Sequence, residues 1–145
     1  MTRLPPITLP ETDYNRLILA TAFAERAGSP AADLLAAEVR RAHVCRPSEL
    51  PDDVVATGCR VSFRLNDNPR SLIRLLVHSE QLAWPGAEIS VTSCLGAALV
   101  GLREGDRMPF HDENGVPQSV QVDKIWLRIP DDGLIWRRPN QGLSI

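Results

Sequence analysis

Two carboxylates, Glu25 and Asp33, flank a short run containing Gly28, Ser29 and Pro30, and are the first candidates for chemistry. Paired acids can hold Mg²⁺, which demands oxygen ligands close together in near-octahedral array. Here one acid stands on each side of the Gly28 break, with Arg26 between them. Read as isolated acids, Glu25 is a solvated helix end and Asp33 a partner for a helix dipole. A second inventory is His43-x-Cys45 with Cys59, Cys94, His78 and His111. It contains no CxxC or HExxH spacing. Residues two apart on a helix point about 200° apart, so His43 and Cys45 do not chelate together in that conformation. Ser93 with a distant His and Asp lacks the Gly-x-Ser-x-Gly elbow of a nucleophile and suits a helix N-cap better. His111-Asp112-Glu113 sits beside a turn and reads as a solvated loop. No glycine-rich phosphate loop occurs.

Arginines offer a different kind of site. Arg60, Arg64 and Arg74 fall on two segments of alternating pattern, and Arg70 lies between them. On paired strands the first three are expected to share the outer face. That face is either simply solvated or a docking surface for carboxylates or phosphates, both of which match the arginine fork. No aromatic stripe is interleaved for base stacking, which favours a protein partner over single-stranded nucleic acid.

The bulk properties narrow the class. The chain has 145 residues, 43% of them hydrophobic, enough for a core without disulfides or metal. A net charge of −2 gives no case for nonspecific nucleic-acid binding. The three cysteines are odd in number and widely spaced, and residues 1–10 lack the apolar run of an export signal. Reduced thiols in a cytoplasmic protein are expected, with no membrane span.

These residues must be positioned by elements of two kinds. Thr8-x-x-Glu11 reads as a capping box with Pro10 in the first turn of a helix running to about Arg26. Tyr14, Leu17, Ile18 and Thr21 share one face of it. Gly28 stops it, Ser29 caps the next helix, and Pro30 opens a segment predicted helical to about Val44, with Leu35, Val39 and Ala42 on its apolar side. Two helices of ~15 residues, each about 22 Å long, joined by so short a turn fold back antiparallel. Arg46-Pro-Ser-Glu-Leu-Pro51 then breaks the helix, and the pattern switches to period two. Cys59, Val61, Phe63 and Leu65 predict the apolar face of one strand, and Ile73, Leu75 and Val77 that of its partner. Trp84-Pro-Gly86 is a turn, residues 87–92 a strand, and Arg107–His111 and Ser119–Ile129 two more. Residues 131–145 read as a tail in which Trp136 is a possible anchor.

One run joins these parts. Residues 88–92 alternate as a strand, Ser93 can cap a helix, and Gly96, Ala97 and Ala98 let that helix approach a sheet closely. Gly101 ends it, and Glu104-Gly105-Asp106 turns the chain. Ile89-Ser90 followed by Ser93-x-Leu95-Gly96-x-Ala98-Leu99-x-Gly101-x-x-x-Gly105-Asp106 resembles the C-terminal domain of the bacterial Gre transcript-cleavage factors. Asp13-Tyr-Asn-Arg-Leu17, Arg41-Ala42 and Leu50-Pro-Asp-Asp-Val-Val55 fit the Rnk-type members, the nucleoside diphosphate kinase regulators, which resemble Gre factors with a shortened helical hairpin. Gre sequences often carry Pro after the serine, where this chain has Cys94.

The resemblance implies an α+β fold. A short N-terminal antiparallel helical hairpin (1–46) precedes a β-rich, FKBP-like Gre C-terminal domain (47–130) of about five antiparallel strands and one short helix, with the tail following. It implies docking on RNA polymerase near its secondary channel, through Ser93, Cys94, Leu95 and Gly96. Ser93 to Leu95, at the strand–helix junction, are expected to be exposed. Gre factors project acids from the hairpin tip into the polymerase active centre, where they help hold Mg²⁺ and promote RNA cleavage. With Glu25 and Asp33 isolated at the tip of a short hairpin, polymerase binding without efficient cleavage is expected. The chain is then a regulator and not an enzyme, a monomer without cofactor or metal, contacting DNA or RNA only within the transcription complex. The rival readings are a regulator of another enzyme, such as a nucleotide kinase, and a peptidyl-prolyl isomerase suggested by the fold relation alone.

Overall fold

The hairpin is built from helices of unequal length. The structure, a computed structural model, describes residues 4–129. Helix α1 spans Glu11–Ala27 and α2 spans Ala32–Arg41, about 25 Å and 15 Å long. Gly28 ends α1 in the left-handed region at φ 68°, as a helix C-terminus favours. Ser29 does not cap α2. Its hydroxyl accepts from the Ala31 amide at 3.2 Å within the connecting turn, and Ala31 occupies the cap position. The buried face of α1 carries Asp13, Leu17, Thr21 and Ala24, while Ile18 is 42% exposed. Tyr14 packs only partly against the core. The face is therefore rotated from the expected one, because a polar residue, Asp13, occupies a buried position.

Both outer ends of the hairpin depart from helix. Thr8–Pro10 forms strand β1 and His43–Cys45 forms strand β2, paired in parallel. The capping box expected at Thr8 is absent, since Thr8 is in a strand and its amide donates to the Gly101 carbonyl at 3.1 Å. The second helix stops at Arg41, short of Val44, because the His43 amide is taken by the Ile7 carbonyl at 2.9 Å. Pairing with a distant segment takes over there, at residues whose own helix propensity is weak.

The β-rich part is a five-stranded sheet in the order β5-β4-β3-β7-β6. Its strands are β3 (Cys59–Leu65), β4 (Leu72–Val77), β5 (Glu88–Ser90), β6 (Arg107–His111) and β7 (Pro117–Arg128). The sheet is not wholly antiparallel, for β5 runs parallel to β4. Residues 78–87 between them are long enough to carry the chain back beside Leu75, midway along β4, which a tight hairpin could not do. Pro109 falls on β6, an edge strand, where its missing N–H costs no ladder bond.

Helix α3 (Cys94–Leu99) lies against this sheet. Phe63, Val122, Met108, Leu99 and Leu102 share one core with Ile7, Leu9, Leu17 and Leu35 of the N-terminal region. Each fully buried aliphatic or aromatic side chain of this kind contributes about 1.5–3 kcal/mol. Gly101, at φ 86°, lies where a Cβ would come 2.8 Å from the Ile7 Cβ, and its amide donates to the Val55 carbonyl at 2.7 Å. The exit of α3 thus binds β1 and the 54–56 segment together. Among the described residues no helix is long and apolar enough to cross a membrane. Trp136 and the expected tail lie outside the described residues.

Candidate functional site

The strand–helix junction after β5 is organised around one carbonyl. The Ser90 carbonyl accepts from the Ser93 amide at 3.0 Å and from the Ser93 hydroxyl at 2.7 Å. The same Ser93 Oγ accepts from the Gly96 amide at 3.0 Å, which is the N-cap bond expected of it. A Cβ at position 96 would stand 1.9 Å from the Ser90 carbonyl oxygen, so only glycine lets α3 begin this close to β5. Thr92 and Ser90 join through their hydroxyls at 2.8 Å. These bonds brace the junction, and its side chains are less open than the sequence suggests. Ser93 and Leu95 are half-buried, and Cys94 is 2% exposed.

Cys94 is a packing residue in electrostatic terms as well. Burial, followed by the charge and hydrogen bonding of Glu113, pushes its thiol up to about 11. Glu113 also accepts from the Cys94 amide at 3.4 Å, so the 111–113 loop reaches the start of α3. Neighbouring Asp112 organises that loop, accepting from the Asn114 and Val116 amides at 2.9 Å each. These backbone donors hold its carboxyl below the usual range.

The arginines divide between two faces. The register pairs Arg60 with Leu75 and with Leu127, and Ser62 with Ile73 and Lys124. Arg60 and Arg64 therefore lie on the outer face. Arg74 pairs with Val61, a core residue, and so sits on the opposite face, where its guanidinium donates to the Ile73 carbonyl at 2.8 Å. The shared three-arginine face does not form. Strand β4 reads Leu72-Ile-Arg-Leu-Leu-Val77, with apolar residues in both alternating sets, so the pattern alone could not choose the face. Leu72 and Leu76 pack inward and Ile73 is 47% exposed. Arg64 is bound to Asp123, Nε to Oδ1 at 3.0 Å, and Ser71 donates to the same carboxylate at 2.8 Å.

Glu25 and Asp33 are both exposed, on different helices across the Gly28–Ala31 turn. His43 and Cys45 lie on a strand and not a helix, so the angular argument that separated them does not apply. Even so, among the described residues no three of His, Cys, Asp and Glu converge as metal ligands.

Two buried polar clusters at the hairpin base carry no mark in the local sequence pattern. Asp13, 1% exposed, accepts from the Thr57 amide at 2.9 Å and from the Thr57 hydroxyl, and its Oδ1 lies 3.7 Å from His78 Nε2. On α2, Glu38 is 1% exposed and meets Arg41 at 3.2 and 3.3 Å, while Arg41 also reaches the Pro5 carbonyl. Asp13 in a first helical turn looks like an ordinary dipole partner, and nothing in the local pattern marks it as buried. Between α1 and the sheet edge runs a cleft of about 510 Å³, lined by Leu19, Phe23, His78, Val91 and Thr92 among others.

Comparison with known proteins agrees with this geometry. Residues 50–127 match the family described as transcription elongation factor GreA/GreB, C-terminal. The chain is 36% identical over 118 residues to the regulator of nucleoside diphosphate kinase of Escherichia coli (strain K12), covering 81% of this chain and 87% of that protein. The Shigella flexneri protein of the same name matches equally. A solved GreA/GreB elongation factor from Nitrosomonas europaea superposes with a TM-score of 0.66 at 28% identity, over 83% of this chain and 99% of that one. On the family match over residues 50–127 and the identity to these relatives, the chain belongs to the GreA/GreB family, alongside the regulators of nucleoside diphosphate kinase.

Proposed function

We propose that this chain regulates transcription by docking on RNA polymerase near its secondary channel, without itself promoting efficient transcript cleavage. The observation that carries the reading is the junction 90–96. A half-buried serine–carbonyl–glycine network holds Leu95 half-open at a hydrogen-bonded strand–helix corner, where the Gre family is expected to meet the polymerase. The hairpin supports the second half of the proposal. Its second helix is about 15 Å long, and its tip offers two exposed acids on separate helices. Such a hairpin is short for reaching a deep active centre from a rim-docked domain.

Binding to immobilised core polymerase tests the docking, comparing the native chain with a Ser93→Ala/Leu95→Ala variant. Weaker binding by the variant is expected, and equal binding by both would sink the docking assignment. For the second half, strong cleavage in stalled complexes that disappears in Glu25→Ala/Asp33→Ala would refute the proposal. The identity to proteins named regulators of nucleoside diphosphate kinase favours a second reading, in which the chain acts on such a kinase. Co-purification that enriches the kinase and not the polymerase would select it.

A further inference from the structure

The outer face of the sheet, which α3 does not cover, combines cations with exposed apolar side chains. Strand pairing places Leu75, Arg60 and Leu127 in one row across β4, β3 and β7, and Ile73, Ser62 and Lys124 in the next. The register shift between Arg60 and Val61 leaves Trp126 as an extra residue on β7, and bulges of this kind re-aim a side chain. Trp126 is 55% exposed, Leu127 49% and Ile73 47%, and Lys124 Nζ stands 4.4 Å from the Trp126 ring centroid. The Asp123 carboxylate in this region is held by Arg64. Glu88, next to Leu75 in the first row, is engaged by the Ala83 and Trp84 amides. Among the described residues neither Arg60 nor Lys124 forms an ion pair, so the face presents two cations flanked by apolar side chains, Arg60 between Leu75 and Leu127 and Lys124 against Trp126.

We infer that this face is a second docking surface, taking an acidic segment of the polymerase that carries apolar side chains. The inference rests on the polymerase reading above and names a contact separate from the Ser93–Leu95 corner. Charge complementarity selects an acidic partner, and Ile73 with Leu127 beside a single tryptophan favours a protein segment over stacked bases. Trp126, with Lys124 against its ring and Arg60 in the neighbouring row, has the character of an anchor residue, since tryptophan and arginine are enriched at such centres.

The test measures binding of the full chain to core polymerase between 50 and 300 mM salt. Arg60→Glu/Lys124→Glu is expected to weaken binding by about tenfold at low salt and to flatten the salt dependence. Trp126→Ala is expected to weaken it severalfold at every salt concentration. These side chains are exposed, so both variants should keep the native fold. Native affinity and salt dependence in the charge-reversed chain, while Ser93→Ala/Leu95→Ala loses binding, would overturn this inference and leave the docking corner standing. No binding by the native chain would remove both. Two further outcomes overturn it by naming another occupant. One is a dimer of the free chain that the charge reversal dissolves, measured by sedimentation. The other is capture of a labelled single-stranded RNA that Trp126→Ala abolishes.

Discussion

Glu38 should make the protein more stable in mild acid than at neutral pH, against the usual trend for carboxylates. Two effects compete at this side chain. Burial penalises its charged form, whereas Arg41 favours it. Burial wins, raising the carboxyl from 4.5 to about 7. The reason is geometric. Glu38 is 1% exposed, but Arg41 holds it only at 3.2–3.3 Å, is itself partly solvated, and is shared with the Pro5 carbonyl. Between pH 4.5 and 7 the folded chain therefore keeps a proton that the unfolded chain has released. The stabilisation is complete below about 4.5 and is lost as pH rises through about 7. Between pH 5 and pH 8 the loss is roughly 2 to 3 kcal/mol, given 1.36 kcal/mol per pKa unit. Glu38→Gln keeps the shape and has no proton to lose. Urea unfolding of both proteins at pH 5, 6, 7 and 8, followed by circular dichroism, isolates the effect, because carboxylates held low, such as Asp112 and Asp123, cancel in the difference. The stability difference should move by 2 to 3 kcal/mol in favour of the glutamine variant as pH rises. A difference that stays constant, or moves the other way, would show that Arg41 and not burial governs the site.

Other expectations concern the junction and the hairpin base. Gly96→Ala should cost at least about 2 kcal/mol in thermal unfolding, since its Cβ meets backbone at 1.9 Å and helix propensity gains under 1 kcal/mol. Ser93→Ala should lose about 1 kcal/mol by removing the cap, and an unchanged melting temperature would argue against that bond. Asp13→Ala should cost about 3 kcal/mol in urea unfolding, because it strands the buried Thr57 amide and hydroxyl. Thiol labelling of the native chain at pH 8 should modify Cys45 ahead of Cys94, whose buried thiol near 11 is almost entirely protonated there. Fast modification of Cys94 before unfolding would contradict the packing at the start of α3.

The sequence was legible where one local rule acted alone. Cys59-x-Val61-x-Phe63 alternates without ambiguity and forms the inward face of β3. Ser93 precedes a run of small residues and becomes the cap of α3. Legibility failed where two rules competed or where a distant segment decided. Strand β4 has apolar residues on both faces, so its orientation depends on pairing with β3. Residues 43 and 44 follow the helical run without a stop signal, yet residues 43–45, all weak helix formers, pair with β1. Arg74, assigned to a docking face, lost that place through the first of these ambiguities. Asp13 shows a third limit. A carboxylate in the first turn of a helix has an ordinary solvated explanation, and only Thr57, 44 residues away, makes it a buried acceptor.

The distribution of buried polar groups bears on how the proposed docking could act. Asp13 with Thr57, and Glu38 with Arg41, lie at the base of the hairpin; the first ties α1 to backbone ahead of β3, and in the second Arg41 reaches the Pro5 carbonyl and lies 3.9 Å from Met108 Sδ on β6. Breaking such a cluster by removing one partner leaves a buried group uncompensated, so the hairpin is held firmly in one direction relative to the sheet. At the tip the reverse holds: Glu25 and Asp33 are exposed and lie on different helices. Firm mounting at the base suits a part whose direction matters to a partner. On the proposed reading the hairpin therefore contributes a fixed shape beside the docked sheet, which could obstruct other factors at the channel without supplying ligands for its metal. Weakening the base with Asp13→Asn, which retains shape but loses charge, should then reduce competition with a cleavage factor while leaving polymerase affinity through Leu95 nearly unchanged. Loss of both together would mean that hairpin and sheet dock as one surface.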